Sequence, residues 1–142
     1  MPVLGELTAH VVNASTRFAL GASSTAVPLW ESQFPSDETD TAISFYESGG
    51  PAPMYTQSAL SYERPTVQVI SRSTSYVTAR DNAEHVFSLL AAIENQDITK
   101  STSTGVTNYI TVSPVQSPFD MGRDAEQRAQ ISCNYQVQKE VS

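Results

Sequence analysis

Basic residues are scarce in this 142-residue chain, which carries eight Lys and Arg against fifteen Asp and Glu, a formal charge of -7. A protein that coats DNA or lies on an anionic membrane needs clustered cations to displace counterions. Those roles are excluded; contact with other proteins is not. Cysteine is nearly absent: Cys133 stands alone. That rules out an intrachain disulfide and a Cys-rich zinc cluster and leaves Cys133 as a small buried hydrophobe. No apolar run approaches the roughly 20 residues of a membrane span. The opening MPVLGELTAH lacks the basic and apolar regions of a secretion signal, so synthesis in a reducing cytoplasm and no membrane partner are expected. Charged residues make up only 16% of the chain, while Ser and Thr abound. A surface poor in charge suits a protein that neighbours cover.

The residues of catalysis are also thin. His10 and His85 are far apart in sequence, and neither begins an HExxH pair. There is no GxSxG elbow and no P-loop; Gly49-Gly50 lacks the Lys and helix of a phosphate cradle. Asp120 and Asp124 flank Met121-Gly122-Arg123 but fall short of the ligand count of a calcium loop. No nucleophile, base and oxyanion donor converge. The reading is no enzyme, no metal and no cofactor.

What the chain does have is a central βα unit between Arg64 and Ile93. Pro65 opens a run of β-branched residues, Thr66 to Ile70, which suits a half-buried strand. Tyr76, Ala79, Ala83, Val86, Phe87, Leu90 and Ile93 then recur at spacings of three and four, one stripe of a helix. Ser73 or Ser75 is its N-cap.

Upstream, Leu4 to Leu20 reads as a first helix, with Leu4, Leu7, Val11, Ala14 and Phe18 as its stripe and Gly21 as its stop. Gly21 to Asp40 reads as a connector. Its Val27, Leu29, Trp30 and Phe34 either fold back on the core or, in Trp30 and Phe34, anchor an interface. Thr41 to Tyr46 alternates as a strand. From about residue 47 to 64 runs a polar loop or arm, in which Met54, Tyr55, Leu60 and Tyr62 have something to bury against a partner. After the central helix, Asn95 and Gln96 read as a stop and 100–105 as a turn. Gly105 to Val115 is a strand, Ser117 to Arg128 a turn-rich separator, and Ile131 to Val137 a strictly alternating final strand. The order α-β-β-α-β-β implies one α+β domain over 1–142, a small mixed or antiparallel sheet of about four strands covered by two helices.

Several of these stretches resemble one family. They are the Pro-led strand PTVQVISRS ending near Arg72, the helix start YVTARDNAEHVFSLLAAI with Arg80 on its exposed face, the strand ending Glu-Ser-Gly-Gly-Pro, and the loop Pro-Phe-Asp-Met-Gly-Arg-Asp before Arg128 and the last strand. Together they are similar to the tail terminator proteins of long-tailed bacteriophages, also labelled tail-completion or minor capsid proteins. The resemblance implies a structural virion protein of the tail or neck, assembled in the host bacterial cytoplasm. It implies self-association into a ring, usually a hexamer, that caps the tail tube and joins it to the head–tail connector or stopper, with DNA passing through the lumen. Another neck component, such as a head-completion stopper, is the alternative. The residues then expected near subunit contacts are Arg72, Arg80, Gly122, Arg123, Asp124 and Arg128. The aromatics Trp30 and Tyr55 join them as interface anchors.

Overall fold

The computed structural model describes residues 3–20, 26–32, 40–49, 54–55, 61–99 and 106–140. Gly21, Phe34, Leu60, the 100–105 turn and half of the arm, 50–53 and 56–60, lie outside them. The chain runs α1 (Val3–Ala14), β1 (Phe18–Leu20), β2 (Val27–Glu31), β3 (Ala42–Gly49), β4 (Met54–Tyr55), β5 (Ser61–Glu63) and β6 (Thr66–Ser73). It continues with α2 (Tyr76–Ala91), β7 (Glu94–Thr99), β8 (Val106–Pro114), β9 (Phe119–Arg123) and β10 (Ala129–Glu140).

The fold is built on β10, the longest strand. Its odd-numbered residues from Ala129 to Lys139 are all buried, as the period of two requires when one face is covered. Along one edge β10 pairs antiparallel with β6 and then β5, in a single register: Ala129 faces Ser73, Gln136 faces Thr66 and Lys139 faces Glu63. Between them the Val137 N–H donates to the Pro65 carbonyl at 2.9 Å. Pro65 removes one donor from the ladder, yet β5 and β6 remain one continuous run against β10. Along its other edge β10 pairs with β9 near its start and β8 towards its end.

The βα unit forms, although Tyr76, the first residue of the expected stripe, is 43% exposed and Ile93 is buried beyond the end of α2. Ser75 is the N-cap of α2, its Oγ accepting from the Thr78 N–H at 3.4 Å. Ala79, Ala83, Val86 and Leu90 are buried. Across the resulting layer, Val86 and Leu90 join Leu4, Leu7 and Val11 of α1 and Val67, Val69, Cys133, Tyr135 and Val137 of the sheet in one core. Both helices therefore cover the same face. A smaller cluster of Ala79, Ala83 and Ile131 closes the end of α2 nearest β9.

The expectation of a four-strand sheet covered by two helices is overturned. Among the described residues, strands dominate: ten of them join a single sheet. Six short strands account for the difference; two of them, β4 and β5, lie in the stretch read as a polar loop or arm and pair with each other and, through β5, with β10. Leu4–Leu20 is not one helix; α1 ends at Ala14, and Phe18–Leu20 is β1, paired in parallel with β2. Ser15 helps end the helix, its Oγ accepting from the Arg17 N–H at 3.2 Å, a local bond that competes with helix continuation. The connector holds β2, parallel to β3. The supposed stop after α2 is β7, paired with β8, with Asn95 at φ 46° just inside it. The separator holds β9, whose five residues are all exposed. None of these has a long alternating pattern. Each is made a strand by the ladder of its neighbour rather than by its own side chains.

Candidate subunit interface

Six of the eight residues singled out by sequence gather at one end of the sheet, around the turn from β9 to β10. Asp124 organises the turn. Its Oδ1 accepts from the Glu126 N–H at 3.0 Å and the Arg128 N–H at 2.9 Å, while its Oδ2 accepts from Arg128 Nε at 2.8 Å. Main-chain bonds between Asp124 and Arg128 close the loop, and Gln127 takes the left-handed conformation at φ 63°. These hydrogen bonds, the Arg128 backbone N–H first, hold the Asp124 carboxyl below its ordinary pKa.

Arg128 is buried and reaches two further carboxylates, Glu126 at 3.0 Å and Asp40 at 3.8 Å. Arg72, one strand over on β6, is buried beside it. Desolvation, then the Arg128 charge, lower its pKa, while Asp124, Asp40 and Glu126 act the other way. Two adjacent buried guanidiniums and three acids thus fix this corner within the subunit.

Arg123 and Arg80 fasten β9 to the start of α2. Arg123 Nη1 donates to the carbonyls of Gln127 at 2.5 Å and Thr74 at 3.4 Å. Arg80 pairs with Glu84 at 3.1 Å and donates from Nη1 to the Pro118 carbonyl at 2.9 Å. Gly122 sits at φ 90°, a conformation that L side chains rarely adopt, and its N–H donates to Asp120 Oδ1 at 2.8 Å. Arg123 and Gly122 are exposed.

Trp30 and Tyr55 are placed elsewhere. Trp30, on β2, is half-buried and starts a row of cross-strand partners: Trp30, Ser44, Ile70, Ser132 and Phe119. That row lies on the face away from the helices and ends at β9. Tyr55 lies in β4, beside β5, which pairs with the far end of β10. β5, with β4 beside it, and the β9 turn thus stand at opposite ends of one strand.

One buried site went unseen in the sequence. Lys139 Nζ lies 3.2 Å from Glu6 Oε1, and Tyr109 Oη donates to the same oxygen at 3.1 Å. All three side chains are fully buried. Burial, then the Glu6 charge, push the Tyr109 hydroxyl pKa well up. The clue was present: Lys139 continues the alternation Ile131, Cys133, Tyr135, Val137 into the core.

Among the described residues no three His, Cys, Asp or Glu side chains converge as a metal site requires. One surface groove among the described residues is lined by Arg17, Asp81, Glu84, His85 and Ser88, and another by Arg64, Thr111, Ser113, Gln136, Val137 and Gln138. No helix among the described residues is long and apolar enough to cross a membrane.

Comparison with known proteins agrees with a structural role. Residues 32–141 match the family model described as "Bacteriophage tail terminator protein". A chain of the solved structure titled "Virion of native gene transfer agent (GTA) particle" is similar over 99% of this chain and 100% of its own, with TM-score 0.59 and 16% identity. At that identity the likeness is one of fold. No curated protein matches the chain. With most of its length under the family model, from just after β2 to the end of β10, this chain belongs to the bacteriophage tail terminator family and is a structural protein of the virion tail or neck.

Proposed function

We propose that this protein forms a closed ring, a homohexamer, on the head-proximal end of the tail tube. The ring stops tube growth and joins the tube to the connector or stopper of the head, and DNA passes through its lumen. The protein assembles in the host cytoplasm and catalyses no reaction. The observation that carries the reading is the family match over 32–141. Two physical features support it. The chain offers unlike surfaces, the β9 turn and β5 with β4 beside it, at opposite ends of β10, and a head-to-tail ring needs two unlike surfaces per subunit. Its charge of -7 suits a lumen wall that repels DNA and keeps it mobile.

In this reading the contact region includes Arg72, Arg80, Gly122, Arg123, Asp124, Arg128, Trp30 and Tyr55. Buried Arg72 and Arg128 set the shape of the corner, and exposed Gly122 and Arg123 present it to a neighbour. Negative-stain microscopy of the purified protein mixed with tail tubes tests the assignment. Rings seated on tube ends are expected. Rings that bind only connector would favour another neck role, and a monomer with metal-dependent hydrolytic activity would overturn the proposal.

A further inference from the structure

Strand β9 is an edge strand among the described residues. Among the described residues it is paired on one side only, to β10, and all five of its residues are exposed. Proteins usually blunt such edges with charge, Pro, a bulge or shortness, because unpaired main-chain groups invite another strand. Among the described residues the other edges are blunted: β1 has three residues, β4 has two, and β7 carries Glu94 and Asp97. In β9 the protection is partial. A register shift against β10 falls across Met121 and Gly122, and Gly122 has φ 90°, but Phe119 and Asp120 pair in register with Ser132 and Ile131, and the strand carries two large apolar side chains. Phe119 and Met121 are each 40% exposed, and nearby Val115 is 62% exposed. Asp120, the charge between them, is turned to local use by capping the Gly122 N–H.

The chain also holds a segment suited to that edge. From Gly49 to Tyr62 it has no charged residue, and it includes Met54, Tyr55, Leu60 and Tyr62. Within β9 the charges of Asp120 and Arg123 cancel, and Asp124 and Glu126 are paired with Arg128, so the edge offers no net charge and an uncharged segment suits it. The arm cannot reach β9 of its own subunit by sliding. It is anchored through β5 at Lys139 and Glu140, whereas β9 pairs around Ser132, roughly 23 Å away at about 3.3 Å per residue.

We propose that the Phe119–Met121 edge of β9 receives the arm of the next copy of this chain, which adds to the sheet by strand pairing and covers Phe119, Met121 and Val115. Main-chain bonds would supply affinity and the apolar side chains the register. Because arm and edge are different surfaces, the contact is head-to-tail and propagates around a ring. The inference rests on the ring reading above and specifies its interface.

Cross-linking tests it. In a Cys133→Ser background, Phe119→Cys and Tyr55→Cys are combined and treated with a short bis-maleimide under the conditions used for microscopy. The expected result is a ladder of covalent multimers on a denaturing gel, with the ladder lost when either cysteine is omitted. Rings in the microscope without a ladder would overturn this interface while leaving the ring reading intact. Dimers from Phe119→Cys alone would overturn it by showing a two-fold contact. Absence of rings and ladder alike, on tail tubes as well as in solution, would overturn both.

Discussion

Lys139 and Glu6 form an ion pair at 3.2 Å in which both side chains are fully buried. They lie 133 positions apart in the chain, one near the end of β10 and the other in α1. The pair pins the first helix to the last strand. Tyr109 from β8 completes it by donating to the same Glu6 oxygen and placing its ring 5.8 Å from the ammonium. Glu6 Oε2 has no hydrogen-bond partner among the described residues, so the site is held by one oxygen of the carboxylate.

Removing one member of this pair strands the other in the core. Lys139→Met should therefore destabilise the subunit by about 3–5 kcal/mol, the usual cost of an uncompensated buried charge. Combining Lys139→Met with Glu6→Leu should restore most of the loss, because an apolar replacement of both partners is often close to neutral. Urea unfolding of the three variants measures both effects. A double variant no more stable than Lys139→Met would show that the pair does more than balance its own charges.

Acid should loosen the corner at Asp124. Its carboxyl has a folded pKa below the ordinary 3.8. A depressed carboxylate contributes stability that is present above its unfolded pKa and is lost as pH falls through the folded one. The stability of the native chain should therefore decline below about pH 4 more steeply than that of Asp124→Asn. At neutral pH Asp124→Asn should cost about 1.5–3 kcal/mol, the range for hydrogen bonds to a charged group. Thermal melts from pH 2.5 to pH 7 test both statements.

Gly122→Ala isolates backbone strain at the proposed interface. A Cβ at this position would meet nothing within 4 Å, but φ is 90°, so only the conformation is penalised. A loss of about 1–2 kcal/mol is expected, read in thermal unfolding. A neutral result would mean that the bulge relaxes without cost.

How much of this was written in the sequence depended on whether a segment carries its own signal. The α2 stripe and the Ser75 cap were legible because local spacing specifies a helix. β10 was legible because one of its faces is wet and the other dry. β2, β7 and β9 were not, because five or six residues such as ENQDIT show no period and acquire strand geometry from β3, β8 and β10. The helix over Leu4–Leu20 overran because Phe18 sits at helical spacing from Ala14, while the Ser15 turn that breaks the run is a local bond rather than a pattern. Arg72, Arg123, Asp124 and Arg128 come together at one corner, but pairings such as Arg123 with Thr74 and Arg128 with Asp40 join distant segments and leave no local pattern. The Glu6–Lys139 contact joins the two ends of the chain, and its one trace was Lys139 continuing the inward positions of β10.

The central claim concerns where the protein sits and with how many copies. Cryo-electron microscopy of the neck of intact particles tests it most directly. The account predicts a closed hexameric ring of this chain between the last ring of the tail tube and the head connector, each arm lying on the β9 edge of the next subunit. Density for the chain that contacts the connector but not the tube, or an open or non-hexameric assembly, would contradict it.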